Sequence, residues 1–227
     1  MGLDVGRPIV AAADPQSAQS FQAELALVIP EDLPNREALI SGAAHHLALI
    51  VEANQYLNLT RITTPREAAI KHVLDSVMPW RLFAKAHDVL DAGTGAGFPG
   101  IPLAIVLPQT HFTLAESIQK KARFVESALA ELQLPNAGIT PRRAEELDAE
   151  IITARALAPI PRILSLFKPA LKKGSRILLY KGPDAEQEIA EAAPDARKLR
   201  AHMQVLMRYD LPDSLGTRTV VEISIPR

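Results

Sequence analysis

Val89-Leu90 reads as a short apolar strand that ends at Asp91. Gly93, Gly95 and Gly97 follow at alternate positions, before Phe98 and an apolar run from Ile101. Glycines placed just after a strand let the backbone turn tightly and approach a ligand closely. The dinucleotide fingerprint spaces its glycines G-x-G-x-x-G and cradles a pyrophosphate on helix N–H groups. Here the spacing is Gly-x-Gly-x-Gly, and Pro99 and Pro102 occupy the helix start, where proline offers no donor. A cofactor without pyrophosphate suits this turn better, and S-adenosylmethionine is the expectation. Asp91 could accept from its ammonium group. Glu116 closes the second strand pattern, where a carboxylate can accept from both ribose hydroxyls. A backbone amide of Ala144 or Glu145, after the third strand pattern, could meet the adenine edge. The plain alternatives are a strand-to-helix turn without ligand, a solvated Glu116, and Glu145-Glu146 as a helix cap.

Alternating strand and helix patterns position these residues. Strands are expected at Val89-Leu90, 112–115, 138–140, 151–154, 176–180, 203–209 and 219–225, with helices over 99–107, 118–133, 160–171 and 184–200. The order implies an α/β fold, a doubly wound, mostly parallel sheet with an antiparallel final strand. Upstream, Asn35 caps a helix running to about Tyr56, Asn58-Leu59-Thr60 breaks it, and Thr64-Pro65 opens a second helix. Three segments result: a flexible leader (1–33), a helical N-terminal extension (34–86) and a cofactor-binding domain (87–227). Only one short amphipathic turn, with Phe21, Leu25, Val28 and Ile29, is expected in the leader.

The 227 residues carry a net charge of −1, with −4 on residues 1–115 and +3 on residues 116–227. A free nucleic-acid binder shows a stronger basic balance, so an RNA partner would have to be met through a local patch or a preformed ribonucleoprotein. With no cysteine, a disulfide framework and a cysteine metal site are excluded. His45-His46 lacks further ligands at metal spacing and is expected on a helix surface, so no metal is expected. No secretory pattern and no apolar run of membrane-spanning length occur, so a cytoplasmic protein away from membranes is the expectation, with a monomer as the default state.

At these residues the chain resembles the bacterial GidB/RsmG family, the 16S ribosomal RNA guanine-N7 methyltransferases. Asn58-Leu59-Thr60 is similar to its N-L-T motif and His72-Val73-Leu74-Asp75-Ser76-Val77 to H-L-L-D-S-L. Asp91 to Pro102 is similar to D-x-G-[ST]-G-A-G-F-P-G-I-P. Glu116-Ser117 with Lys120 to Phe124, Arg143 to Glu146, Ala154-Arg155-Ala156 and Lys181-Gly182 match further segments in order, across residues 36–227. Ala53 departs from the family's tryptophan.

The resemblance implies a Rossmann-like class I methyltransferase. Gly93, Phe98, Ala144, Glu145 and Arg155 would line the cofactor pocket. The substrate would be one guanosine of 16S rRNA in the small subunit, the position-527 class. Guanine N7 carries a lone pair and no proton, so its attack on a sulfonium methyl needs alignment and dryness but no general base. Arg155 and Lys181, at the ends of adjacent strands, could donate to guanine O6 or hold a phosphate. Alternatively, Arg155 forms a structural ion pair with Asp91 or Glu116. Asn58 either enters the base site or ends its helix. His72 and Asp75, three apart, form either a catalytic pair or a structural hydrogen-bonded one. Lys120, Lys121, Arg123, Arg142, Arg143, Lys172, Lys173 and Arg176 are candidate phosphate contacts, with Lys172-Lys173-Gly174 also reading as a helix C-terminus. The other readings are a methyltransferase of small molecules or proteins, a non-enzymatic Rossmann-like module and an NAD-dependent enzyme.

Overall fold

Strands covered by helices on both faces are apolar on both faces, and the central strands of this chain alternate their buried side chains between two cores. The computed structural model describes residues 15–226, so the expectation for residues 1–14 lies outside the described residues. The strands are β1 (Asp88–Ala92), β2 (His111–Ala115), β3 (Ala137–Thr140), β4 (Ile151–Arg155), β5 (Arg176–Lys181), β6 (His202–Asp210) and β7 (Thr217–Ser224). They form one sheet of order β3-β2-β1-β4-β5-β7-β6. The first five pair in parallel, and β7 runs antiparallel to both β5 and β6. The doubly wound sheet with its antiparallel end is thus the one expected.

Val89 points into one core and Leu90 into the other, the two-residue period of a strand. The first core lies under α1 (Pro15–Val28), α2 (Arg36–Leu57), α5 (Gly100–Val106) and α6 (Gln119–Glu131). The second lies under α7 (Ile160–Leu166), α8 (Lys168–Lys173) and α9 (Ala185–Leu199). Pro169 in the first turn of α8 gives up no helical bond there, and the helix expected over 160–171 is two, separated at Phe167. Lys172 and Lys173 do close α8, before Gly174 at φ 105°.

Residues 15–33 correct the expectation of a flexible leader. Phe21, Leu25, Ile29 and Leu33 are buried in the same core as α2 and α5. Burying such side chains contributes roughly 1.5–3 kcal/mol each, enough to order a short amphipathic helix. Arg36 ties the segment down by donating from Nε to the Ile29 carbonyl at 3.2 Å and from Nη2 to the Ala26 carbonyl at 2.7 Å.

Between α2 and β1 the chain makes α3 (Pro65–Ala68), a π-helical turn Ala69–Leu74 and α4 (Asp75–Val77). The wider turn closes with the Asp75 N–H on the Ile70 carbonyl. No helix among the described residues is long and apolar enough to cross a membrane. We expect Leu25→Ala to cost about 3 kcal/mol of unfolding free energy, measured by urea denaturation. A cost below about 0.5 kcal/mol would show that α1 is not docked.

Candidate active site

In a parallel sheet, ligands bind outside the carboxyl ends of the strands where the chain order reverses. That reversal falls between β1 and β4. Gly93 follows β1, Glu116 follows β2, Arg155 ends β4 and Lys181 ends β5, so all four reach one crevice. Two cavities meet there. The first, about 550 Å³, is lined by Gly93, Glu116, Ser117, Ala144, Glu145 and Leu157 among others. The second, about 480 Å³, is lined by Thr60, His72, Phe98, Arg155, Lys181 and Arg218 among others. Gly93 and Ala156 belong to both walls.

Three side chains fix the turn between β1 and α5. Asp91 Oδ2 accepts from Thr94 Oγ1 at 2.6 Å and from the Gly100 N–H at 2.8 Å. A Cβ at Gly100 would stand 2.7 Å from that oxygen and 2.9 Å from Leu114 Cγ, so the close approach requires glycine. Glu116 accepts from the Gly95 N–H at 3.2 Å through Oε2 and from the Ile118 N–H at 2.8 Å through Oε1. His46 Nε2 donates to the Ala96 carbonyl at 2.8 Å, from the opposite side.

The structure brings Gly93, Glu116, Ala144 and Glu145 together on the first cavity and Gly95, Phe98, Arg155 and Lys181 on the second. Two expected cofactor residues stand apart from both. Asp91 is fully buried beneath the turn and lines neither cavity, because its carboxylate is drawn to the turn's own donors. Gly97 has φ 102°, and a Cβ there would come within 2.5 Å of Ile101 Cδ1. Its role is packing against α5.

The second cavity revises several pairings. Arg155 does form an ion pair, but with Asp75 Oδ2 at 3.2 Å, not with Asp91 or Glu116, and its Nη1 also donates to the Lys71 carbonyl at 2.9 Å. His72 and Asp75 turn to different partners: His72 Nε2 pairs with Thr60 Oγ1 at 3.0 Å, whereas Asp75 takes Arg155, Arg218 and Tyr209. The His72 ring stacks on Phe98 at 4.7 Å, and Arg155 packs 5.4 Å from the same ring. Lys181 Nζ is held by Glu188 at 2.6 Å and by the Ala158 carbonyl at 2.9 Å. Asn58 is the exposed left-handed cap of α2, away from both cavities, so it ends its helix.

Sequence reasoning missed Asn54, whose Oδ1 accepts from the Leu59 and Thr60 N–H groups and shapes the segment facing His72. It also missed His46, which lies in the core against Phe98 and Phe124 and not on a helix surface. His46 lies beside the buried Leu47 on an otherwise apolar stretch, and that neighbourhood was the available signal. Of the candidate phosphate contacts, Arg142, Lys173 and Arg176 are spent on Glu146, Asp148 and Glu222.

A seven-stranded sheet of this order, with paired cavities at its switch point, is a Rossmann-like fold of the kind that solved methyltransferases share. Solved structures share the fold at low identity. The YcgJ protein from Bacillus subtilis has a TM-score of 0.54 at 14% identity, over 69% of this chain and 100% of that one. The precorrin-6y C5,15-methyltransferase of Geobacter metallireducens has a TM-score of 0.50 at 13% identity, over 73% and 90%. Residues 40–210 match the family model for GidB, rRNA small subunit methyltransferase G. The protein of that name from Solibacter usitatus is 63% identical over 208 residues, which cover 90% of this chain and 99% of that one. Its counterpart from Carboxydothermus hydrogenoformans is 34% identical over 183 residues, 76% and 77% of the two chains. The chain belongs to the rRNA small subunit methyltransferase G family.

Burial pushes His46 down to about 4. Burial, and then the Arg155 guanidinium, push His72 down to about 3. Burial raises Asp91 to about 6, against its bonds from Thr94 and Gly100. A histidine depressed in the fold is protonated first in the unfolded chain, so its contribution to stability falls as pH drops through about 6.5 and levels off below the folded value. For His46 the loss from pH 7 to pH 5 is about 2 kcal/mol. Asp91 has the opposite sign, because the folded state takes up its proton first, and it offsets part of that loss. Urea unfolding of His46→Leu at the two pH values is expected to show a drop about 2 kcal/mol smaller than wild type. An equal drop would mean that His46 is not held neutral by burial.

Proposed function

We propose that the protein transfers the methyl group of S-adenosylmethionine to N7 of one guanosine in 16S rRNA of the small ribosomal subunit. One observation carries the choice of nucleophile. Both carboxylates lining the second cavity, Asp75 and Glu188, are already committed to Arg155 and Arg218 and to Lys181. His72, pushed to about 3, is a poor proton acceptor at neutral pH. A nucleophile that must shed a proton finds no free base among these groups, whereas N7 has no proton to lose. The names of the family's relatives supply the RNA, and the TYW2 structure from P. horikoshii, bound to MeSAdo, is one of the fold's solved examples.

The first cavity fits the cofactor. The Glu116 oxygens each accept one backbone N–H and keep lone pairs for ribose hydroxyls. Ala144 and Leu157 give apolar surface for a base, and Gly93 opens the passage to the second cavity. When bound, S-adenosylmethionine supplies the electrophilic methyl. Phe98, with His72 and Arg155 against it, forms a flat wall that keeps water from the acceptor side. Arg155 and Lys181 carry donors for the guanine O6 or its backbone.

The test is transfer of labelled methyl to small subunits from a strain deleted for the corresponding gene, with the product mapped as N7-methylguanosine. One labelled guanosine is expected. Cofactor binding without transfer to competent subunits would favour a small-molecule or protein acceptor. Arg155→Ala should cut transfer at least tenfold, about 1.4 kcal/mol of transition-state stabilisation, and a rate within twofold of wild type would remove Arg155 from the site. Around Gly95 a Cβ would meet no atom closer than 4.0 Å. A side chain is strained at the Gly95 φ of +61°, so folding of Gly95→Asp is checked by circular dichroism; the folded variant should lose cofactor affinity in calorimetry, because the Gly95 N–H holds Glu116 on the first cavity, and unchanged affinity would overturn the pocket assignment.

A further inference from the structure

The walls of the second cavity hold more positive charge than they neutralise. Lys71 is paired with Glu67 at 2.8 Å and Lys181 with Glu188 at 2.6 Å. Arg155 and Arg218, arriving from β4 and β7, share a single carboxylate: each reaches Asp75 Oδ2 at 3.2 Å. The other oxygen of Asp75 accepts from the Tyr209 hydroxyl at 3.0 Å, and the residue is buried. One carboxylate balances one guanidinium, and arginine does not give up its proton to restore neutrality.

The two arginines differ in how they are held, Arg155 through Nη1 alone and Arg218 through Nε and Nη1. Arg155 also serves the Lys71 carbonyl and packs on Phe98, and its side chain is 16% exposed. Arg218 commits Nε to Asp75, and its Nη1 makes a long 3.4 Å contact to the Thr217 carbonyl. A guanidinium fork carries five N–H donors, so three of those on Arg218 are left without a hydrogen bond among the described residues, and the residue lines the second cavity. That fork matches the spacing of two oxygens on one anion, the geometry in which arginine binds most strongly.

We propose that Arg218, with Arg155 beside it, is an oxyanion site that takes a phosphodiester of the RNA strand presenting the target guanosine. The inference rests on the RNA reading above. The carboxylate of S-adenosylmethionine is the competing oxyanion. The site lies with Thr60, His72 and Lys181 on the second cavity, and Arg218 does not line the first. A phosphate here also removes a chemical obstacle. N7 methylation leaves a positive charge on the purine, which an unbalanced arginine pair would oppose.

The variant Arg218→Gln keeps Asp75 compensated by Arg155 and Tyr209, so no buried carboxylate is orphaned. Its binding to unmodified small subunits, with S-adenosylhomocysteine present, is measured across a series of potassium chloride concentrations. S-adenosylmethionine binding is measured separately. We expect at least tenfold weaker subunit binding at low salt and a slope of log affinity against log salt shallower by about one. Cofactor affinity should stay within twofold of wild type. Arg218→Lys, which keeps the charge without the fork, should restore the slope and part of the affinity. An unchanged slope in Arg218→Gln would overturn the site. Loss of cofactor affinity would overturn it too, by giving the anion to the cofactor. If wild-type protein neither binds nor methylates subunits, the RNA reading fails and the phosphate site fails with it, a result distinguishable because it precedes any variant.

Discussion

The carboxylate of Asp91 closes the turn that the remainder of the site depends on. It receives the Thr94 hydroxyl and the first amide of α5 on one oxygen, and Gly100 leaves no space between that helix and the strand end. Val89 and Asp91 share a strand face, so the same alternation that buries Val89 in the first core aims Asp91 at α5. The arrangement is costly. Asp91 Oδ1 is buried without a hydrogen bond among the described residues, and a carboxylate in that setting gives up solvation. In exchange, two donors at the turn are satisfied and Gly93 is presented at the sheet's switch point, where both cavities open.

A second buried carboxylate, Asp75, joins the N-terminal helices to the far end of the sheet. It receives donors from β4, β6 and β7, and Tyr180 on β5 donates to the carbonyl of the next residue, Ser76, at 2.7 Å. Asp75 follows directly on the π-helical turn, and His72 within that turn packs against Phe98 and Thr60. Arg66 extends the same junction by bonding Asp213 after β6 and Glu24 on α1. The chain before β1 therefore forms a wall of the second cavity.

Signals that depend on local order were legible in the sequence. The alternation of strand and helix, the glycine turn, the acidic end of β2, the helix start at Thr64-Pro65 and the helix end at Gly174 all read correctly, because each is set by neighbours along the chain, although the Thr64 side chain makes no capping bond. Features decided across the fold were not. Arg155 was seen to seek an acid, but Asp75 lies 80 residues away and the sheet order selects it. Asp91 reads as a ligand contact until Gly100 and Thr94 are seen to claim it. The histidine at 46 reads as surface because its partner, a backbone carbonyl at Ala96, leaves no mark in the sequence. The helix at 15–28 reads as leader because a four-residue apolar stripe is weak evidence without the core that receives it.

The sheet order carries a consequence for biosynthesis. β7 follows β6 in the chain yet lies between β5 and β6. During translation β6 therefore emerges with no strand beside it, and β5 keeps an open edge until β7 slides between them. Arg218 arrives on that late strand, so Asp75 has one arginine until the insertion is complete. Along the chain, the lining of the first cavity ends at Leu166, whereas that of the second includes Arg218 on the last strand. The second cavity is therefore the later of the two to gain its full lining as the chain emerges.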